Sequence, residues 1–344
     1  MNRIFFLSTN LIAWAIVLAL ASCTIAQDAT PVLVVDGLNN PTSVAIHPAT
    51  GDVFVAESGS QRVVRIVDRK PQPVIVDFGK DAFGKDPIYT IGPLSLLFLN
   101  DDVLVVGGGG HPDGEDLIYG FNLPKADASP VNADDAKLGK LTLASKDEVP
   151  AEGDFFAMAK GSKGIYVTCN GDDKKGWIAR AIFNQEYRLT GLTRNIATVD
   201  VTQTTAPMAI TISPQGHVVV GQMGKTEKAK DSLLCFYSEE GAHLDTFKLG
   251  MFDITGLAYG PKHGRLFATD FSWTDPKQGG LYKIIATKTD QGCKAKLMQR
   301  LERPTSLAFA KNGDLYVTLA GDPSAEKPDG KLIVFKEMDI DLTR

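Results

Sequence analysis

The stretch PTSVAI at residues 41–46, followed after a turn by VFVA at residues 53–56, is the part of the sequence that decides the fold. Both segments have the length and the β-branched and aromatic content of strands, and Gly51 lies in the turn between them. Similar pairs of segments begin near residues 93, 153, 207, 254 and 304. A strand pair that recurs about every 50 residues indicates one four-stranded blade per repeat. The sequence therefore predicts an all-β fold, a six-bladed β-propeller with four-stranded antiparallel blades.

The two ends of the chain are expected to meet in one blade. The last repeat provides three strands and ends with the apolar segment at residues 331–335. The segment VLVVD at residues 32–36 is expected to supply the missing fourth strand. Such an N-terminal strand would close the ring and remove the exposed edges of an open sheet. We therefore expect one propeller domain over residues 27–344, which needs no partner for stability and is expected to be a monomer.

The first 26 residues have the pattern of a secretory signal peptide. Arg3 precedes an apolar run at residues 11–21, which is too short to span a bilayer, and small residues follow it. Two cleavage sites fit: one after Ala26, and one before Cys23 in the segment LASC, which resembles the bacterial lipoprotein box. Both interpretations predict an exported protein of the periplasm or outer envelope. The second adds a lipid on Cys23, which would be its attachment to the membrane.

The charge of the chain argues against one class of partner. The 344 residues carry a net charge of −5, and no stretch is rich in lysine and arginine. A nucleic-acid-binding surface needs a basic patch that neutralises phosphates. We therefore expect no nucleic-acid partner.

Two repeats resemble known families. NPTSVA at residues 40–45 with VAESGSQRV at residues 55–63 resembles an NHL repeat. GLAYGP at residues 256–261 with RLFATD at residues 265–270 resembles the gluconolactonase and regucalcin-like propellers. The resemblance implies a six-bladed propeller. For the lactonases it also implies a divalent ion, usually calcium, held by Glu, Asn and Asp side chains at the mouth of the central channel, where it polarises the lactone carbonyl.

The residues of this chain that align with that metal site are mostly unsuited to calcium. The aligned positions are Thr42, Leu94, Asp154, Met208, Thr255 and Thr305. Asp154 is the one carboxylate among them, and leucine and methionine side chains do not bind a hard cation. The sequence therefore contains no complete set of calcium ligands at these positions, and no cofactor is predicted. Calcium or another divalent cation at Asp154 and Asp270 is the alternative.

The long connections between second and third strands, together with the segment at residues 79–86, are expected on one face of the propeller. Loops on a rigid scaffold are where binding residues concentrate. The expected ligand-binding residues on this face are Asp154, Asp253 and Asp270 as a polar group, Trp273 as a stacking surface, His111 as the one histidine in a long loop, and Asn170.

These observations favour a non-catalytic propeller that binds a small molecule, a glycan or an envelope protein through the long-loop face. Two alternatives remain open at this point. One is a metal-assisted lactonase-, hydrolase- or lyase-like enzyme with an atypical site at the channel mouth. The other is a structural lipoprotein of the cell envelope.

Overall fold

A computed structural model describes residues 30–171, 174–287 and 292–339 of this protein. It confirms the all-β, six-bladed propeller: each blade is an antiparallel sheet of four strands, which are arranged in order from the central channel outward. The signal peptide and Cys23 lie outside the described residues. In the part of the chain that the structure describes, no helix is long and apolar enough to cross a bilayer.

The strands of blades 1 to 3 follow one another along the chain, and each is given from the innermost strand outward. Blade 1 contains Pro41–Ile46, Val53–Glu57, Arg62–Val67 and Lys70–Val76. Blade 2 contains Pro93–Phe98, Val103–Gly108, Ile118–Asn122 and Lys140–Leu141. Blade 3 contains Met158–Lys160, Ile165–Thr168, Trp177–Phe183 and Leu189–Ala197.

The strands of blades 4 to 6 complete the ring. Blade 4 contains Pro207–Ile212, Val218–Gln222, Leu233–Tyr237 and His243–Lys248. Blade 5 contains Ile254–Tyr259, Leu266–Asp270, Gly280–Ala286 and Cys293–Arg300. Blade 6 contains Pro304–Phe309, Leu315–Leu319, Gly330–Phe335 and the N-terminal strand Val32–Leu38. This N-terminal strand pairs antiparallel with Gly330–Phe335, with Val32 opposite Val334 and Leu38 opposite Gly330.

A few short elements lie outside the blades. Asp81–Phe83 and Tyr89–Ile91 form an antiparallel hairpin between blades 1 and 2. Val131–Asn132 adds a parallel fifth strand to the edge of blade 1. The helical segments are the α-helix Thr198–Thr202 and the 3₁₀ turns Ser58–Ser60, Ala133–Asp135 and Pro276–Gln278.

The core lies between neighbouring blades, because each strand directs alternate side chains to the two faces of its sheet. Phe54 and Ala56 of blade 1, for example, pack with Val106 and Phe121 of blade 2. The buried thiols of Cys169 and Cys235 belong to two such clusters and form no disulfide. Both pack there among apolar side chains, and Sγ of Cys235 also donates to Oε1 of Gln222 (3.2 Å).

Candidate functional site

Threonine side chains join neighbouring blades where the inner strands begin, which we call the channel mouth. The hydroxyl groups of Thr42, Thr255 and Thr305 each donate a hydrogen bond to a carbonyl oxygen of the next blade. The acceptors are Pro93 (3.1 Å), Pro304 (2.7 Å) and Pro41 (2.7 Å), respectively. The three side chains are thereby held in place at the channel mouth, with their protons already engaged.

The structure corrects the alignment of blade 3. Ser95 of blade 2 donates to the carbonyl oxygen of Phe155 (2.6 Å), and Phe155 takes the place of the prolines that begin four of the other five inner strands. Asp154 has a φ of 47°, close to the φ values of Asn40, Ala206 and Arg303, which directly precede three of those prolines. The alignment of blade 3 from the sequence was therefore wrong by two residues. Phe156, and not Asp154, occupies the position of Thr42; blade 3 lacks the proline that marks the start of these four strands.

A small cavity of about 50 Å³ lies at the channel mouth. Blades 1, 3, 4, 5 and 6 and the hairpin at residues 81–91 all contribute to its wall. The lining residues are Asn40, Thr42, Phe83, Tyr89, Ile91, Phe156, Met208, Met223, Thr255, Phe271, Trp273 and Thr305. The wall is mainly aromatic and aliphatic, with hydroxyl and amide groups from three blades. Pockets of this composition are typical of small-molecule sites.

The hairpin at residues 81–91, which we call the lid hairpin, covers this cavity. The ring of Phe83 packs on Phe156 and Trp273, at centroid distances of 4.8 and 5.9 Å. The indole Nε1 of Trp273 donates to the carbonyl oxygen of Asp86 (3.0 Å). Gly84 has a φ of 92°, and a Cβ at this position would lie 2.5 Å from Cζ2 of Trp273. Glycine is thus required where the lid meets the loop of blade 5.

Tyr89 extends the same contact from the second strand of the lid hairpin. Its ring packs on Phe271 and Trp273 at 6.0 and 5.8 Å, and its hydroxyl donates to the carbonyl oxygen of Gly321 (3.2 Å). These three aromatic side chains, with Phe83 and Ala320, form one cluster that joins the lid to blades 5 and 6.

Two carboxylates position Trp273 from below. Asp270 accepts hydrogen bonds from the backbone N–H groups of Phe252 (2.9 Å) and Asp253 (2.8 Å). Asp253 in turn accepts one from the backbone N–H of Trp273. Burial raises the pKa of Asp253 to about 7, and the negative charge of Asp270 adds to this effect. Burial also raises the pKa of Asp270. Both carboxyl groups lie behind the cavity wall rather than in it.

A second group of the expected site residues meets around Asp116, which sequence reasoning did not select. The carboxylate of Asp116 accepts hydrogen bonds from the backbone N–H groups of His111 and Asp154, both at 2.9 Å. Burial raises its pKa to about 6. Asn170 donates its side-chain N–H to Sδ of Met208 (3.0 Å), a residue that lines the cavity.

The structure therefore divides the expected polar group. Asp253 and Asp270 lie together beneath Trp273, whereas Asp154 lies with Asp116 on the other side of the channel mouth. Of the expected residues, Trp273 lines the cavity and Asn170 contacts its wall. Among the described residues, no group of three or more His, Cys, Asp or Glu side chains has the arrangement of a metal site.

The sequence alignment placed Thr42, Met208, Thr255 and Thr305 at the channel mouth but considered them only as calcium ligands, for which they are unsuited. Their role as the wall of a cavity was missed. Met223 was not selected at all, because its contribution is set by contacts between distant parts of the chain.

Comparisons with solved structures show the same fold in other proteins. A glucose dehydrogenase superimposes with a TM-score of 0.60 at 14% identity, covering 89% of this chain and 99% of the other. The PQQ-bound aldose sugar dehydrogenase of Streptomyces coelicolor gives 0.57 at 12% identity, with coverage of 89% and 99%. A protein proposed to be a gluconolactonase gives 0.55 at 12% identity, with coverage of 89% and 91%. At these identities the likeness shows the fold. No protein-family model and no curated sequence matches the chain.

Proposed function

We propose that this protein acts on a compact, largely apolar small molecule in the cavity at the channel mouth. The observation that carries the proposal is the convergence of five blades and the lid hairpin on one lined cavity. The binding group of the ligand would enter between Phe83 and Trp273 and displace the lid.

The wall of the cavity also indicates how a ligand would be held. Aromatic rings and two methionines supply apolar contact area, which stabilises the bound state as surface is removed from water. The threonine hydroxyl groups, fixed by their bonds to the next blade, supply oriented oxygen atoms. A rigid wall with few polar groups favours selectivity for shape.

Two groups do not fit this cavity: PQQ, which is bound in one of the neighbouring structures, and calcium, which the lactonase resemblance implies. PQQ carries three carboxylates on a fused ring system, whereas the wall contains no lysine, arginine or histidine and encloses about 50 Å³. A calcium ion needs several oxygen ligands with negative charge, and the wall contains no carboxylate. We therefore derive no chemical step through either group, and calcium at Asp154 and Asp270 has no support in their placement on separate sides of the mouth.

A test of the proposal uses thermal shift with a panel of compact probes: aliphatic alcohols, δ-lactones and alkylammonium salts. A ligand that binds the folded state raises its melting temperature by mass action. We expect a shift in the wild type that is lost in Phe83→Ala. The control is Phe98→Ala, because Phe98 lines a separate cavity at the opposite end of the channel. A shift that survives Phe83→Ala but not Phe98→Ala would place binding at the wrong end, and no shift with any probe would contradict the proposal.

A second candidate is hydrolysis of a sugar lactone. The solved structures above include enzymes, so they give no support to the non-catalytic role that the sequence favours. The raised pKa of Asp253, about 7, is suited to a general base at neutral pH. Its carboxyl group lies behind Trp273, so this function requires Trp273 to move.

The test of this second candidate is an assay of glucono-δ-lactone hydrolysis, in which the reaction is measured by the protons it releases. We expect turnover that falls by about a hundredfold in Asp253→Asn if Asp253 is the base. Unchanged turnover in this variant would remove Asp253 from the reaction, and no turnover by the wild type would leave the binding function.

We also propose export, with the signal peptide at residues 1–26 and lipid attachment at Cys23 as its membrane-bound form. Labelling with radioactive palmitate in a bacterial host is expected to mark the wild type and not Cys23→Ala. A mature chain that begins at Gln27 and carries no label would support simple secretion instead.

Capture of a glycan or an envelope protein by the long-loop face would replace the small-molecule proposal.

A further inference from the structure

We propose that the group bound at the channel mouth is a quaternary ammonium group with methyl substituents. This inference rests on the proposed small-molecule function and specifies the chemistry of its ligand. It follows from three properties of the cavity wall: its rings, its hydrogen-bonding atoms and its lack of opposing charge.

Five aromatic side chains surround one small cavity. Phe83, Tyr89, Phe156, Phe271 and Trp273 all line it, and neighbouring rings lie 4.8 to 6.0 Å apart between centroids. A group that fills about 50 Å³ among them lies close to several rings at once. Cations are attracted to aromatic faces within about 6 Å of the centroid, and such cages are suited to methylated ammonium groups.

The polar side chains of the wall have already used most of their protons. The hydroxyl groups of Thr42, Thr255 and Thr305 donate to backbone carbonyl groups, as described above. Tyr89 and Trp273 likewise donate to carbonyl oxygens outside the cavity. What these groups offer a ligand is oxygen lone pairs and aromatic surface. Anions and carbonyl compounds need donors, whereas a cation is stabilised by acceptors.

Asn40 and the methionines agree with this pattern. Asn40 donates one side-chain N–H to the carbonyl oxygen of Thr90 (3.0 Å). Met208 accepts from Asn170 and, with Met223, presents a polarisable thioether to the cavity. Thioether and methyl groups pack well against N-methyl groups, which cannot donate strong hydrogen bonds. The aromatic and thioether part of the wall therefore favours N-methyl groups, which bury apolar surface there.

The wall itself carries no charge that would repel a cation. No lysine, arginine or histidine lines the cavity. Behind the wall, the carboxyl group of Asp253 accepts the backbone N–H of Trp273. Arg303 and Asp322 form an ion pair with 3.7 Å between Nη1 and Oδ2, so their charges largely offset each other. A cation in the cavity therefore meets no opposing charge in the wall.

The test compares choline with 3,3-dimethylbutan-1-ol, which has the same shape with carbon in place of nitrogen. Calorimetric titration of the whole protein is expected to give choline about tenfold the affinity of the neutral alcohol. Phe156→Leu keeps the apolar volume and removes one ring. It is expected to weaken choline about threefold and to leave the alcohol unchanged. Phe98→Leu, at the other end of the channel, is the matched control and is expected to change neither.

The outcomes separate this inference from the function on which it rests. If the neutral alcohol binds as tightly as choline, and Phe83→Ala abolishes binding, the cavity is a binding site but the cation inference is wrong. If Phe156→Leu weakens both probes equally, the ring acts through shape and the inference is again wrong. If neither probe binds at millimolar concentration, both proposals fail.

Discussion

Glu57 in blade 1 and Asp270 in blade 5 hold equivalent positions at the ends of their second strands, yet their surroundings differ. Both carboxylates are buried, and both accept a backbone N–H from the loop that leads into their own inner strand. Glu57 also meets Arg62, with 2.6 Å between Oε2 and Nε. Asp270 accepts hydrogen bonds from the N–H groups of Phe252 and Asp253. A second carboxyl group, that of Asp253, lies near it.

The difference shows which blade contains the energetically unfavourable buried groups that support the cavity wall. In blade 1 the charge of Glu57 is balanced by Arg62, and the loop presents Asn40 to the cavity. In blade 5 two buried carboxyl groups are used to fix the loop that presents Phe271 and Trp273 to the cavity. Arg300 offsets part of the charge of Asp270, but burial still raises the pKa of both carboxyl groups, and such groups concentrate at functional sites.

Among the substitutions, the largest effect is expected from Asp270→Ala. The substitution leaves the N–H groups of Phe252 and Asp253 buried without their acceptor, which costs about 3 kcal/mol of the free energy of unfolding. Urea unfolding followed by circular dichroism measures this loss. Asp270→Asn is the matched control, since its amide oxygen still accepts one bond, and it is expected to lose about half as much. Equal stability of wild type and Asp270→Ala would show that the blade 5 loop is held by other contacts.

An effect of at least similar size is expected from pH, through Asp253. Its folded pKa of about 7 lies above the ordinary 3.8, so the unfolded chain releases the proton first as pH rises. The contribution of this group is therefore most favourable below about pH 4, declines between about pH 4 and pH 7, and is constant above. We expect a decline of about 4 kcal/mol, measured as the free energy of unfolding at several pH values.

The matched variant isolates this group from the other titrating residues. Asp253→Asn cannot ionise, and its amide oxygen can still accept the N–H of Trp273. The stability difference between variant and wild type is expected to grow in favour of the variant from pH 4 to pH 8. A difference that is independent of pH would show that Asp253 titrates alike in the folded and unfolded chain.

The smallest effect is expected from Glu57→Gln. The glutamine oxygen keeps the bond from the N–H of Asn39, and the pair with Arg62 is lost. Because the side chain of Arg62 is 31% exposed and is hydrated in the variant, we expect a loss of about 1 kcal/mol or less. A loss as large as that in Asp270→Ala, in the same unfolding assay, would remove the distinction between the two blades.

The fold was open to prediction because each blade repeats the same local signals. Segments such as the one at residues 41–46 indicate both that a strand forms and that it is the inner strand of a blade. Blade 3 was misaligned because Phe155-Phe156 stands where blades 1 and 6 have Pro-Thr, and the inner strand there is short. Its true register follows from the bond between Ser95 and Phe155, a contact between blades.

The candidate site was predicted only in part, for a related reason. Trp273 could be selected as an aromatic residue in a long loop, but its partners Phe83 and Asp86 belong to a hairpin far away in the chain. The acidic residues were selected by type, and the structure shows that Asp253 and Asp270 support the loop from behind. Residue type alone does not distinguish a carboxylate that faces a cavity from one that holds its wall.

The central claim is that the cavity at the channel mouth binds a small molecule, and methionine methyl groups report on it directly. Met208 and Met223 line the cavity, whereas Met298 lies in the outer strand of blade 5. We would label the protein with ¹³C-methyl methionine and record methyl NMR spectra during titration with choline. The account expects the signals of Met208 and Met223 to shift together and saturate, with Met298 unchanged. Saturable shifts confined to other methionines, or no shift at Met208 and Met223, would contradict it.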